Sequence, residues 1–134
     1  MAGVSRPEDR PLSPHLSIWR WHVTMASSIL HRFSGIGLYA GGVCFALWLI
    51  ALAMGPETYR LFGEVLAAWY GQVALYLIVA ALAYHGANGL RHLMFDTGSG
   101  LVPKNANRSA WFCIFIGFAT PIALWAALNL GGVQ

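Results

Sequence analysis

The amino-acid sequence predicts an all-α membrane protein, with three transmembrane helices behind an N-terminal amphipathic arm. Of 134 residues, 57% are hydrophobic and only 10% are charged. Soluble domains carry about a quarter charged residues, so lipid is the solvent implied here. Segment length is the second reason: residues 33–55, 67–94 and 111–130 are apolar runs that reach the roughly 17–25 residues needed to cross a bilayer. The length of the chain allows one compact domain.

In chain order, residues 1–27 form a cytoplasmic arm and 28–134 a transmembrane domain, with spans at about 29–55, 67–96 and 109–131. Pro7, Pro11 and Pro14 keep the start of the arm non-helical. Trp19 and Trp21 suit the headgroup level, where an indole is half wet. Thr24, Ser27 and Ser28 offer N-cap oxygens to the first span. That span carries Gly37-x-x-x-Gly41, with Ser34 a turn before, a small-residue face for close approach of another helix of the bundle. Gly55-Pro56 ends it as a C′ glycine followed by a breaker, and residues 56–66 are expected as a short outside loop with room for one helical turn.

In the second span, 100° per residue places His85, Asn88, Gly89, His92 and Asp96 in one narrow stripe. Outward, the same face continues as Ala81 and Ile78, so only the cytoplasmic part is polar. Thr97-Gly98-Ser99-Gly100 and Pro103 read as a turn-rich loop. The third span is uncharged, and Thr120-Pro121 is expected to bend it.

The net charge of +3 matters less than its placement. Arg6, Arg10, Arg20 and Arg32 precede or open the first span, and Arg91, Lys104 and Arg108 flank the second connection. The first connection holds Arg60 alone, offset by Glu57 and Glu64. The positive-inside rule therefore puts the N-terminus and second loop in the cytoplasm and the first loop and C-terminus in the periplasm. Topology accounts for the basic residues without a nucleic-acid partner. The Arg, Pro and His residues near the start do not fit a secretory signal, nor does the acidic pair Glu8-Asp9 fit a transit peptide, so the chain reads as a bacterial inner-membrane protein. Cys44 and Cys113 lie singly within spans, with no motif for covalent haem attachment.

An ionisable group inside a span costs roughly 2.5–3.5 kcal/mol when charged and by default marks a function. His85 is that group, and neutral imidazole is a common metal ligand. Arg91 lies six residues further on, ~9 Å along a helix axis, comparable to the height of a haem standing edge-on. Iron at His85 would leave the propionates near Arg91, His92, His31 and Arg32, while Gly86 and Gly89 leave room for a porphyrin face. The competing reading is a histidine that merely bridges helices. A low-spin bis-histidine iron needs a second imidazole. His31 and His92 are expected nearer the interface than His85, which favours a ligand from another polypeptide.

Ser28 and Arg32, spaced i, i+4, form a second constellation. A hydroxyl and a guanidinium at the mouth of an apolar bundle suit the carbonyl oxygens of a quinone, with the cation stabilising charge that develops on reduction. A helix cap plus a topology anchor is the alternative. Asp96 is expected to pair with Arg91 or Arg108.

Three motifs together resemble a known family. Arg10-Pro-Leu-Ser-Pro-His-Leu at 10–16, Ser28-Ile-Leu-His-Arg-Phe-Ser-Gly at 28–35 and His85-x-x-x-Gly-Leu-Arg-His at 85–92 look like the cytochrome b membrane-anchor subunit of succinate dehydrogenase (respiratory complex II), the larger of its two small anchors. The resemblance covers essentially the whole chain. It implies that His85 is one axial ligand of haem b, the other coming from the second small anchor subunit. It also implies that His31 and Arg32 lie beside the propionates, and that Ser28 and Arg32, with Ile29 between, line the ubiquinone pocket. The implied partners are that second anchor, an iron–sulfur subunit and a flavoprotein, packed as a helical bundle in the lipid membrane. No flavin or cluster motif is present, so catalysis would belong to the assembled succinate:quinone oxidoreductase. The alternatives are an anchor of a quinol:fumarate reductase and a haem-free structural anchor.

Overall fold

A computed structural model describes residues 19–130. The expected arm prolines, the motif at 10–16 and the tail at 131–134 lie outside the described residues. The elements are α1 (Val23–Ala53), α2 (Pro56–Ala67), α3 (Trp69–Asp96) and α4 (Pro103–Leu130). Among the described residues there is no strand, and α1, α3 and α4 are each long and apolar enough to cross a membrane. At 31, 28 and 28 residues, these helices are roughly 42–46 Å long at ~1.5 Å per residue. That exceeds a hydrocarbon core of about 30 Å, so their ends reach the headgroups on both sides.

Three element boundaries differ from the sequence expectation. α1 starts at Val23 with His22 as an extended N-cap and no side-chain cap bond, so Thr24, Ser27 and Ser28 lie inside the helix. Ser27 is wholly buried there, because packing against α3 rather than the helix end claims its hydroxyl. Residues 56–67 form a full 12-residue helix rather than a loop. Gly55, at φ +110°, makes the left-handed turn that L residues avoid, and Pro56 sits at the first helical position where its fixed φ helps. Arg60 then holds Glu57 at 2.7 Å and also Glu64, pairs spaced to support a helix. The Glu57 hydrogen bond, with Glu64 behind it, holds the exposed Arg60 guanidinium above its usual pKa. The last difference is that α4 begins at Pro103, well before the expected third span.

The α2–α3 corner is tight. A Cβ on Gly71 would strike the backbone of Val65 and Leu66, and Gln72 Nε2 donates to the Leu66 carbonyl at 3.0 Å. Beyond α3, Gly98 and Gly100 have φ of +78° and +76° and form the expected turn. α4 runs uninterrupted through a buried Pro121.

α1 and α3 are antiparallel, with Ser27 opposite Asn88 and Gly41 opposite Ile78. α3 and α4 are antiparallel too, with Arg91 opposite Ser109 and Tyr84 opposite Gly117. Gly41 lets Ile78 approach, but a Cβ on Gly37 would meet open space, so the chain itself uses only half of the small-residue motif. Little of the molecule is buried, whereas Phe33, Ile36, Leu82 and Phe115 are all more than 60% exposed. An apolar surface of this extent belongs against lipid or partner helices.

Gly117 makes the α3–α4 seam testable, because a Cβ there would lie 2.8 Å from Tyr84 Cβ. Gly117→Val is expected to cost about 1–3 kcal/mol through overpacking, read as a lower thermal midpoint in detergent. An unchanged midpoint would contradict this register.

Candidate functional site

The polar side chains of α1 and α3 sort into two clusters on adjacent faces of α3. On one face, Tyr84 OH donates to the Ser27 carbonyl at 2.6 Å and lies 2.9 Å from Ser27 Oγ. Ser27 Oγ donates to Asn88 Oδ1 at 2.9 Å. The same oxygen receives Arg91 Nη1 at 3.3 Å, while Arg91 Nε donates to Ser109 Oγ at 2.9 Å and Nη2 to the Ala106 carbonyl at 3.2 Å. Its guanidinium carbon also lies 4.5 Å from the centre of the Phe95 ring, a cation–π distance. Arg91, only 6% exposed, thus joins α3 to α4 with its charge spread over neutral acceptors.

This corrects two expectations. Asn88 does not share the His85 stripe; it lies 60° around the helix at 100° per residue, and Ser27 and Arg91 hold its amide oxygen. Arg91 points into the bundle rather than standing on a ledge beside His85. The sequence singled out neither Tyr84 nor Ser27 as part of a network. The available signal was the Tyr84, Asn88, Arg91 spacing of i, i+4, i+7, with Ser27 able to meet it.

On the other face, His85 is half-buried against α1. Its Nδ1 lies 3.0 Å from Ser34 Oγ and 3.2 Å from the His31 carbonyl oxygen, while Nε2 has no hydrogen-bond partner among the described residues. The His31 ring stacks on His85 at 3.9 Å between centroids and 12° between planes, and His92 lies 5.3 Å from His31. His31 is therefore level with His85, not displaced towards the interface as expected, because the helix crossing sets its ring flat on its neighbour. Imidazole lone pairs lie in the ring plane, so stacked rings do not converge on one metal between them. Among the described residues, no group of three His, Cys, Asp or Glu side chains is arranged to hold an ion. Of the two rings, His85 is the one held by the chain through Nδ1, which leaves its Nε2 without a partner among the described residues.

Space surrounds that nitrogen's helix. A Cβ on Gly86 or Gly89 would meet nothing within 4 Å, whereas one on Gly35 would press His85 Cε1 at 3.2 Å. Glycine at 35 lets α1 lie against the imidazole, and the glycines of α3 leave an open flank. Two buried side-chain nitrogens, His31 Nδ1 and Asn88 Nδ2, have no partner among the described residues.

Ser28, Ile29 and Arg32 lie on α1 near its start. Ile29 is 40% exposed, Arg32 is exposed and Ser28 half-buried. Neither the Ser28 hydroxyl nor the Arg32 guanidinium has a side-chain partner among the described residues, in contrast to the fully engaged Ser27. Asp96 is exposed and makes no ion pair among the described residues, where Arg60 supplies the pairs found. The expected pairing is absent because Arg91 is occupied inside the bundle. Cys44 and Cys113 are free thiols.

The fold and this seam define a multi-pass helical membrane protein with a cluster of three histidines between α1 and α3. The family described as succinate dehydrogenase/fumarate reductase transmembrane subunit matches residues 6–124. A succinate dehydrogenase cytochrome b556 subunit from Paracoccus denitrificans is 39% identical over 82% of this chain and 84% of its own length. The corresponding subunit of Rickettsia felis is 34% identical over 87% of this chain and 90% of its own. A mitochondrial cytochrome b560 subunit from Mus musculus is 42% identical over 69% of this chain and 56% of its own length. The chain belongs to the family of succinate dehydrogenase/fumarate reductase transmembrane subunits, and so is part of an enzyme complex.

Arg91→Leu removes four interactions and strands acceptors between α3 and α4. Leaving buried neutral acceptors unpaired costs about 1–3 kcal/mol, so the purified subunit or complex should show a lower thermal midpoint. A variant as stable as the parent would show that the guanidinium does not hold this seam.

Proposed function

We propose that this chain is the cytochrome b anchor of a succinate:ubiquinone oxidoreductase. In this reading it holds one side of a haem b site and part of a ubiquinone pocket, and it docks a flavoprotein and an iron–sulfur subunit on the cytoplasmic face. The observation that carries the reading is His85: Nδ1 is anchored within the chain, Nε2 is uncommitted among the described residues, and the flanking glycines leave space. The relatives named cytochrome b subunits support haem as the group that uses it. The placement of 10–16 in a cytoplasmic arm, the division between arm and transmembrane domain, and a periplasmic C-terminus in a bacterial inner membrane belong to the same proposal, on the strength of the charge asymmetry.

His85 would ligate iron through Nε2. A further ligand would come from another small anchor subunit, since the His31 ring lies flat on His85 and does not turn its lone pairs towards the same point. His31, Arg32 and His92 would hold the carboxylates at the cytoplasmic end. Arg91 enters only by fixing α4 against α3, because its donors are already engaged. When bound, haem supplies one-electron redox chemistry whose potential the ligand and its surroundings tune. Ser28 and Arg32 would present a hydroxyl and a guanidinium to the quinone oxygens beside Ile29, and the fixed positive charge favours the reduced, more anionic oxygen. The apolar helices around them exclude water. The same seam would serve an enzyme running towards fumarate; turnover measured in both directions distinguishes the two.

Two outcomes are expected. His85→Ala should remove or displace haem, seen as loss of the reduced b-type optical band, while the complex still assembles. Unchanged haem content and axial ligation would contradict the ligand assignment. Ser28→Ala and Arg32→Leu should each lower quinone reductase activity by roughly 10-fold or more, the scale of losing a donor at developing charge. Succinate oxidation by an artificial soluble acceptor should change far less. Equal loss in both assays would make these residues supports of assembly instead.

A further inference from the structure

We infer that Ser34 is a positioning residue for the haem site: its hydroxyl and the His31 carbonyl together fix the tautomer and rotation of His85. The inference rests on the haem reading above but concerns a residue which that reading does not use. Ser34 Oγ lies 2.8 Å from the His31 carbonyl oxygen and 3.0 Å from His85 Nδ1, and the carbonyl oxygen itself is 3.2 Å from Nδ1. A serine hydroxyl has one proton and a carbonyl has none. The Ser34 proton therefore goes to the His31 oxygen, and Oγ turns a lone pair towards Nδ1. With two acceptors facing it, Nδ1 carries the hydrogen, and neutral His85 is the tautomer whose Nε2 bears the bare lone pair.

Two acceptors on one N–H also settle the ring's orientation. A single carbonyl leaves the imidazole free to swing about that bond, whereas two acceptors define a plane. Stacking on His31 blocks one face, and Gly35 gives the ring edge the clearance it needs, its absent Cβ falling 3.2 Å from Cε1. Ser34 and Gly35 are thus a consecutive pair in which one grips the ring and the other makes room for it. Hydrogen-bond acceptors behind a metal-bound imidazole raise its basicity and tune the metal. A more electron-rich ligand favours ferric over ferrous iron, so Ser34 should hold the haem potential down.

The test uses the purified complex carrying Ser34→Ala, Ser34→Cys or Ser34→Thr, with haem content, midpoint potential and the ferric low-spin spectrum as readouts. Ser34→Ala is expected to raise the potential by an amount equal to about a tenfold change in relative ferric-to-ferrous binding, about 59 mV for one electron, and to broaden the ferric spectrum. Thiols are weaker acceptors, so Ser34→Cys should fall between. Ser34→Thr keeps the hydroxyl at a position that borders an apolar groove of about 260 Å³ with Leu30, Phe33 and Leu77; it should give parental values. Loss of haem from Ser34→Ala with retention in Ser34→Thr would also support the inference. An unchanged potential and spectrum in Ser34→Ala, or equal changes in Ala and Thr variants, would overturn it. Absence of a b-type band from the parent complex would instead sink the haem reading itself.

Discussion

Hydrocarbon offers no hydrogen-bond partner, and that constraint organises the α1–α3 seam. Each polar atom on the inner faces must be met by the chain or be left at a cost of several kcal/mol. Ser27, Tyr84, Asn88 and Arg91 meet one another and two groups on α4. His85 meets α1 through Nδ1 alone. Its second nitrogen has no partner among the described residues, on a flank cleared by glycines, and a costly residue with one such atom is where a function is to be sought.

The two clusters divide the labour. The Arg91 network is structural: it ties α1, α3 and α4 near the start of α1 and the end of α3, while small residues such as Gly41 and Gly117 govern how closely those helices pack further along. Interhelical hydrogen bonds within membranes average only about 0.6–2 kcal/mol each, so the network's strength lies in its connectedness and in the burial of the charge. The histidine cluster is different. Its His31 and His85 rings stack, and only His85 Nδ1 is bonded across to α1; among the described residues each cluster keeps one buried nitrogen without a partner, His31 Nδ1 here and Asn88 Nδ2 in the network.

Spans were legible because spanning length and absence of charge are dictated by the bilayer rather than by packing, and Gly55, Gly98 and Gly100 were legible because their backbone conformations demand glycine. The α2 helix was not, since Pro56 and Gly55 read as breakers, although a proline at the first helical position starts a helix. Ser27 resembled a cap because a serine near a helix start usually is one; only packing against Tyr84 reveals its use. Angular projection placed His85 and His92 together, but the 60° offset it gives Asn88 says only that Asn88 faces elsewhere, not that Ser27 and Arg91 meet it there. Arg91 was misplaced for the same reason: helical phase gives direction, but the element occupying that direction comes from the tertiary fold. Ser28 and Arg32 were singled out from their i, i+4 spacing, and among the described residues neither has a side-chain partner.

The central claim is that this chain supplies one side of a shared metal site. A density map of the complete complex tests it most directly. The account predicts His85 Nε2 at bonding distance from the haem iron, an imidazole of a different chain opposite, and Nδ1 still on the Ser34 hydroxyl and the His31 carbonyl. An iron held from both sides by histidines of this chain would contradict it, as would His85 turned onto hydrocarbon side chains in a fully loaded assembly.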